Sequence, residues 1–350
     1  MLVMQKLLQV QTVLVALMWH PTITSAQVLS ENESRPRLLV LTDIGGDPDD
    51  QQSMIRLLMY SNEFLICGLI ASASGTPGEL KEKSTRPDLI RQLIDAYEKC
   101  FPQLSQHRRA YPTSEYLRER VKTGNPERGL EAVGQHHDTE GSKWIIECIN
   151  SANEIDKLNI AIWGGQTDLA QALWRIRTDY GTVGLTSAVA KLRIFDIADQ
   201  DNLAIWIQSQ FPGLFYILSK APNGLDRRQA TFRGMYLTGN EELTSLQWVQ
   251  QNIISSGPLG NLYPTRTWTA PNANSCMKEG DTPSWFFFLP LGGNDPNDPT
   301  HPGWGGSYLL GEDGWYHDLP QEDHPRETIS RWRKDFQADF AARLSWCREN

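Results

Sequence analysis

Between Leu41 and Gln51 the chain places four aspartates, Asp43, Asp47, Asp49 and Asp50, within eight residues, with Gly45, Gly46 and Pro48 among them. The run Arg37-Leu38-Leu39-Val40-Leu41 before them reads as a buried strand, and Gln51 to Tyr60 after them has helical spacing through Met54, Leu57 and Leu58. A loop that leaves a strand and enters a helix lies at the strand's carboxyl end, where open α/β sheets bind their ligands. Like charges so close are costly unless something positive neutralises them. A hard cation with oxygen ligands meets that need, and calcium tolerates the irregular geometry of a loop. A helix cap with a first-turn acid would explain Asp49-Asp50, but not four acids together.

The elements that follow predict the fold class. Phe64 to Ala71 is a second aliphatic strand, so strand, helix and strand fall within about 35 residues, as in a βαβ unit. Further strands are predicted at Leu158 to Trp163, Leu192 to Ile197 and Phe215 to Leu218. Helices are predicted at Ser84 to Cys100, Asp168 to Arg177, Asn202 to Ser209, Glu241 to Ile253 and Ile329 to Cys347. Alternation of this kind predicts a single α/β domain over 36–350, with an open, mostly parallel sheet and helices on both faces. The segment Trp268 to Tyr316 breaks the pattern with Gly, Pro, Asn and Trp, as long functional loops and sheet-edge covers both do.

The first residues read as targeting. Lys6 precedes an apolar stretch from Leu7 to Trp19, and Thr24-Ser25-Ala26 supplies small residues before a cleavage point, which predicts a signal peptide over 1–26 and a polar linker over 27–35. The stretch is shorter than the about 20 residues of a membrane span, so a secreted or periplasmic protein is expected. The net charge of −9, without a basic stripe, argues against nucleic acid. Five cysteines, Cys67, Cys100, Cys148, Cys276 and Cys347, permit at most two bridges in an oxidising compartment, and Cys67 reads as a small buried residue. The sequon Asn32-Glu33-Ser34 would carry a glycan only in a eukaryotic secretory pathway.

Other polar and aromatic stretches carry weaker signals. His136-His137 lacks zinc-ligand spacing and reads as a solvated loop. Asn294 to Asp298 lacks the glycine and glutamate of an EF-hand. Trp285 to Phe288, Trp304 and Trp315 suit either a core or a sugar-stacking platform. Phe195-Asp196-Ile197-Ala198-Asp199-Gln200-Asp201-Asn202 puts polar groups at a strand end, suited to a sugar or to a helix cap.

Thr42 to Asp50, with Leu57-Leu58-Met59-Tyr60-Ser61-Asn62-Glu63-Phe64 and Gly68-Leu69-Ile70-Ala71, resembles the inosine-uridine nucleoside hydrolase superfamily. It resembles more closely the bacterial cellulose-binding, nucleoside-hydrolase-like family. Gly164-Gly165-Gln166-Thr167-Asp168-Leu169-Ala170 is similar to the turn whose Thr gives a backbone carbonyl to calcium. Glu279-Gly280-Asp281-Thr282-Pro283-Ser284 falls where the superfamily places a late aspartate ligand. The likeness runs over nearly all of Arg35 to Cys347. It implies calcium held by Asp43, Asp50, the Thr167 carbonyl and Asp281, with Asp47 or Asp49 as general base. The loop is longer than usual around Pro48, so the choice within Asp47, Asp49 and Asp50 stays open.

Asp196, Asp199, Gln200, Asp201, Asn202 and Glu279 are the expected substrate contacts. Carboxylates would stabilise the oxocarbenium-like state of glycosyl hydrolysis. The expected function is therefore a calcium-dependent hydrolase of an N-glycosidic or related glycosyl bond. The superfamily's histidine before the late aspartate is Gly280 here, which favours the alternative of a carbohydrate-binding protein without turnover. The expected partner is a sugar-containing small molecule or a polysaccharide, not nucleic acid or membrane, and a homo-oligomer is left open.

Overall fold

Each of the five buried residues Leu38 to Thr42 in the first strand lacks a solvent-facing side, and that dictates a sheet covered on both faces. In the computed structural model, which describes residues 35–74, 83–108, 110–266 and 276–348, Leu38 and Val40 belong to one core and Leu39 and Leu41 to the other. Alternation along a pleated strand produces that division. The expected signal peptide, and the linker up to Ser34 with its sequon, lie outside the described residues. Arg35, assigned to the linker, instead donates to the Ala110 carbonyl at 2.8 Å.

The strands are β1 (Arg37–Thr42), β2 (Leu65–Ala71), β3 (Val121–Thr123), β4 (Leu158–Ile162), β5 (Leu192–Ile197), β6 (Tyr216–Ser219), β7 (Tyr308–Leu310) and β8 (Tyr316–Asp318). They form one sheet in the order β3-β2-β1-β4-β5-β6-β8-β7, parallel except for the β7–β8 pair. The chain steps from β1 outward through β2 and β3, then returns across β1 to β4 and steps the other way. Connections after β1 and β4 therefore leave in opposite directions and open a crevice between them, at the point where such sheets take ligands.

Helices α1 (Asp49–Met59) and α2 (Pro87–His107) cover one face. Helices α3 (Ser114–Arg120), α4 (Glu140–Ser151), α5 (Thr167–Val189) and α6 (Ala204–Gln210) follow, with α4, α5 and α6 supplying the core of the other face. The expected open parallel sheet between two helical layers is the fold observed. Short elements escaped the sequence: β3, β7 and β8 have three residues each, too few for a period to register.

Two long helices expected near the C-terminus are broken. Glu241 to Ile253 divides into a 3₁₀ turn, the short α7 (Leu246–Val249) and a π turn, because Ser245 caps a new start by accepting from the Trp248 amide at 3.2 Å. Ile329 to Cys347 divides into α9 (Glu327–Ser330) and α10 (Arg333–Ser345), after α8 (Thr282–Phe286). The five cysteines are free and buried, so no bridge forms, and Cys67 has the buried setting expected of it.

One ion pair ties these layers together. Arg56 of α1 pairs with Glu279, both side chains wholly buried, and its Nη2 donates to Gln337 Oε1 of α10 at 2.7 Å. Its guanidinium also lies 3.8 Å from the centre of the Phe340 ring. Tyr263 donates to Glu279 Oε1 at 2.5 Å. Removing one partner leaves a buried charge uncompensated, so Arg56→Met is expected to cost about 3–5 kcal/mol of unfolding free energy in urea titrations. A loss under about 1 kcal/mol would show that the pair does not hold the layers together.

Candidate functional site

The acidic loop turns sharply because Gly45 adopts φ 108°, where a β-carbon would press to 2.6 Å from Ser74 Oγ. Thr42 then folds the loop back on the helix start: its hydroxyl accepts from the Ile44 amide at 3.1 Å and donates to Asp50 Oδ1 at 2.5 Å. Pro48 precedes α1, so Asp49 and Asp50 fall in the first turn, where the helix dipole favours negative charge.

Asp281, just before α8, comes to the same point from the far end of the sequence. Among the described residues, Asp49, Asp50 and Asp281 can bring one carboxylate oxygen each within 4.8 Å of one another, a spacing that suits a metal ion. Asp281 Oδ2 is buried without a hydrogen-bond partner. Burial pushes the Asp50 and Asp281 carboxyls well above the usual range, and neighbouring aspartates add to the effect. Burial also raises Asp49, to about 6, against the pull of Lys278. An orphaned buried carboxylate oxygen within an all-oxygen group fits a hard cation such as calcium.

Cationic side chains border this group. Lys278 Nζ contacts Asp47 and lies 3.3 Å from Asp49 Oδ2. Arg128 Nη2 donates to Asp43 Oδ2 at 2.8 Å and Nη1 to Asp201 Oδ1 at 3.2 Å. Asp201 Oδ2 also accepts from the Thr167 amide at 3.0 Å and its hydroxyl at 2.5 Å. Close approach of these groups requires glycine after β4: a β-carbon on Gly164 would stand 2.6 Å from Asp43, and one on Gly165 1.8 Å from Asp201 Oδ2.

The expected site residues thus separate into distinct positions. Asp49, Asp50 and Asp281 converge. Asp43 borders them and is engaged by Arg128, while Asp47 is turned to Lys278. Thr167 reaches the crevice wall through Asp201. Asp199 is a helix-start residue, accepting from the Ala204 amide at 2.9 Å and from Lys220 Nζ at 2.9 Å. Gln200 donates to the Trp163 carbonyl, and Asn202 is exposed. Ala198, Asp199 and Asn202 all have positive φ, a concentration of strained backbone at the end of β5.

Two expected substrate contacts are corrected. Glu279 is wholly buried against Arg56, because burying that guanidinium demands a carboxylate. Asp196 is also wholly buried, with Tyr216 and Gln166 donating to its Oδ2 at 2.8 Å each, while its Oδ1 has no partner. Trp285 to Phe288, Trp304 and Trp315 are core, not a platform. His136-His137 is on an exposed or half-exposed loop. Gly280, where the superfamily's histidine was expected, would place a β-carbon 3.2 Å from Asp49 and 3.4 Å from Phe232, so Phe232 bounds the space a side chain would enter. Sequence reasoning missed Arg128 and Lys278. Lys278 is three residues before Asp281, a usable signal, whereas Arg128 stands in a loop with no motif around it.

Burial, with Asp199 adding to it, pushes the Asp196 carboxyl up to about 8. The fold thus favours its neutral form: that contribution is complete below the unfolded value of about 3.9 and is lost as pH rises through about 8. Asp196→Asn is expected to flatten the fall in unfolding free energy between about pH 4 and about pH 8. An unchanged slope would assign that pH dependence elsewhere. Gly165→Ala is expected to displace Asp201, costing about 1–3 kcal/mol in urea unfolding; an unaffected midpoint would contradict the close packing.

Comparison with known proteins gives this geometry a family. The profile of the cellulose-binding Sde182, nucleoside hydrolase-like domain matches residues 37–308. No curated protein matches significantly. A nucleoside hydrolase-related hypothetical protein from Saccharophagus degradans, associated with carbohydrate metabolism, superposes with a TM-score of 0.74 at 28% identity, over 90% of this chain and 72% of that one. The effector protein XOO4466 reaches a TM-score of 0.42 at 12% identity over 89% of this chain and 97% of its own, too low to carry an argument. The chain belongs to the cellulose-binding Sde182, nucleoside hydrolase-like domain family.

Proposed function

We propose that this chain is a carbohydrate-binding domain whose crevice between β1 and β4 grips sugar hydroxyls around a calcium ion. The observation that carries the reading is the convergence of Asp49, Asp50 and Asp281 with a buried, unpartnered carboxylate oxygen on Asp281. Family membership and the carbohydrate-associated neighbour from Saccharophagus degradans support the sugar as ligand. Asp49, Asp50 and Asp281 would hold the ion, with Asp43 beside them, whereas Thr167, the first residue of α5, directs its carbonyl along the helix. When bound, the ion supplies positive charge that orients hydroxyl oxygens and acidifies a water.

The chain's own groups do the rest. Thr42 orients Asp50, and Arg128 holds Asp43 and Asp201 on the crevice wall. Gly280 leaves the position before Asp281 without a side chain, beside Asp49 Oδ2 and the Phe232 ring, so the histidine that the superfamily places there has no counterpart. That arrangement favours binding over turnover. A second reading, hydrolysis of an N-glycosidic or related bond, is favoured by Asp49, whose proton affinity near neutral pH suits a general base. Export to the periplasm or medium is proposed from the N-terminal segment alone. Among the described residues, no helix is long and apolar enough to cross a membrane.

The test combines calcium titration with ligand analysis. Wild type is expected to bind calcium by calorimetry and to be retained on cellulose or soluble oligosaccharides when loaded. Asp281→Asn is expected to lose at least tenfold in calcium affinity, in keeping with a removed charge ligand (about 1.4 kcal/mol). Absence of calcium binding by wild type would refute the cation reading. Release of free base from nucleosides, or of reducing sugar from oligosaccharides, would replace the binding reading with the hydrolase one.

A further inference from the structure

We propose that Lys278 is a resident counter-ion that competes with a divalent cation for Asp49, so that the acidic centre alternates between an ammonium-closed and a cation-loaded form. The inference rests on the reading of Asp49, Asp50 and Asp281 as a cation seat and adds what controls its occupancy.

Three observations carry it. Lys278 is nearly buried, its side chain 7% exposed, and its Nζ spans Asp47 and Asp49, the latter at 3.3 Å. Asp49 is therefore both a member of the converging group and a partner of the ammonium. Asp281, 3% exposed, keeps an oxygen with no hydrogen-bond partner, so the ammonium compensates one edge of the group and leaves another open.

The physics then sets the direction. A carboxylate oxygen that accepts from an ammonium is less available to a metal ion, and a dication brought to Asp49 meets the Lys278 charge at short range in a poorly screened site. Loading must displace the ammonium or bear its repulsion. In return, Lys278 relieves the repulsion between Asp47 and Asp49 and lets the protein fold without an ion. Arg128 does not compete in this way, because it engages Asp43 and Asp201, outside the converging three.

The experiment uses the intact protein with calcium chloride at constant ionic strength, and compares wild type, Lys278→Met, Lys278→Gln and Lys278→Arg. Calorimetry is expected to show calcium affinity about tenfold or more tighter in Lys278→Met and Lys278→Gln, with Lys278→Arg near wild type. Without calcium the neutral variants are expected to melt below wild type, and with calcium to recover most of that loss. A variant that folds only with calcium supports the proposal equally. Equal or weaker affinity in both neutral variants overturns it, because Lys278 would then order the ligands and not compete for them. No calcium binding by wild type or any variant refutes the cation seat itself. Binding that appears only when Lys278 is neutral sustains the competition and refutes calcium as a ligand of the wild-type protein.

Discussion

A guanidinium and a carboxylate removed from water must find each other, and the Arg56–Glu279 pair meets that demand at the centre of this molecule. Arg56 comes from the helix that follows the acidic loop, Glu279 from the segment that ends at Asp281, and Gln337 from the C-terminal helix. Their mutual hydrogen bonds bring together parts of the chain more than two hundred residues apart. Asp281 is two residues beyond Glu279 and Asp49 is seven before Arg56, so the pair that closes the core also sets where the carboxylates meet. The positive φ of Glu279 shows that the segment turns sharply to keep both appointments.

Topology supplies the second constraint. Because β1 is followed on one side by β2 and on the other by β4, two loops leave the sheet in opposite directions, and the gap between them receives Asp43, Asp201 and the Gly164-Gly165 turn. The glycines are needed there for space: side chains at either position would occupy the volume of the Asp43 or Asp201 carboxyl. Backbone strain at Ala198, Asp199 and Asn202 gathers at the neighbouring strand end. Strain, close packing and buried charge thus share one end of the sheet.

The electrostatics of that end depend on which groups find partners. Lys278 and Arg128 offset part of the carboxylate charge, while Asp50 and Asp281 are driven toward their neutral forms by burial. Glu279 and Asp196, which from sequence belong to the same polar strand ends and motifs, serve the interior instead. A carboxylate in a motif is thus not equivalent to a carboxylate at a site, since the fold distributes them between ligand-facing and core-pairing roles.

The sequence by itself determined the alternation of buried strands and helices, because strand periods and apolar runs are local properties. It also determined that Asp43 to Asp50 would end β1, since the loop is contiguous with its strand. Three-residue strands and the breaks near Ser245 and Trp332 were not legible, because pairing partners and caps decide them. The family resemblance already implied that Asp281 meets Asp50, but only tertiary structure added Asp49 to that group, turned Asp47 to Lys278, and placed Arg128 between Asp43 and Asp201. The reason is physical: burial and Coulomb interactions depend on distance through space, and a linear spacing does not contain it.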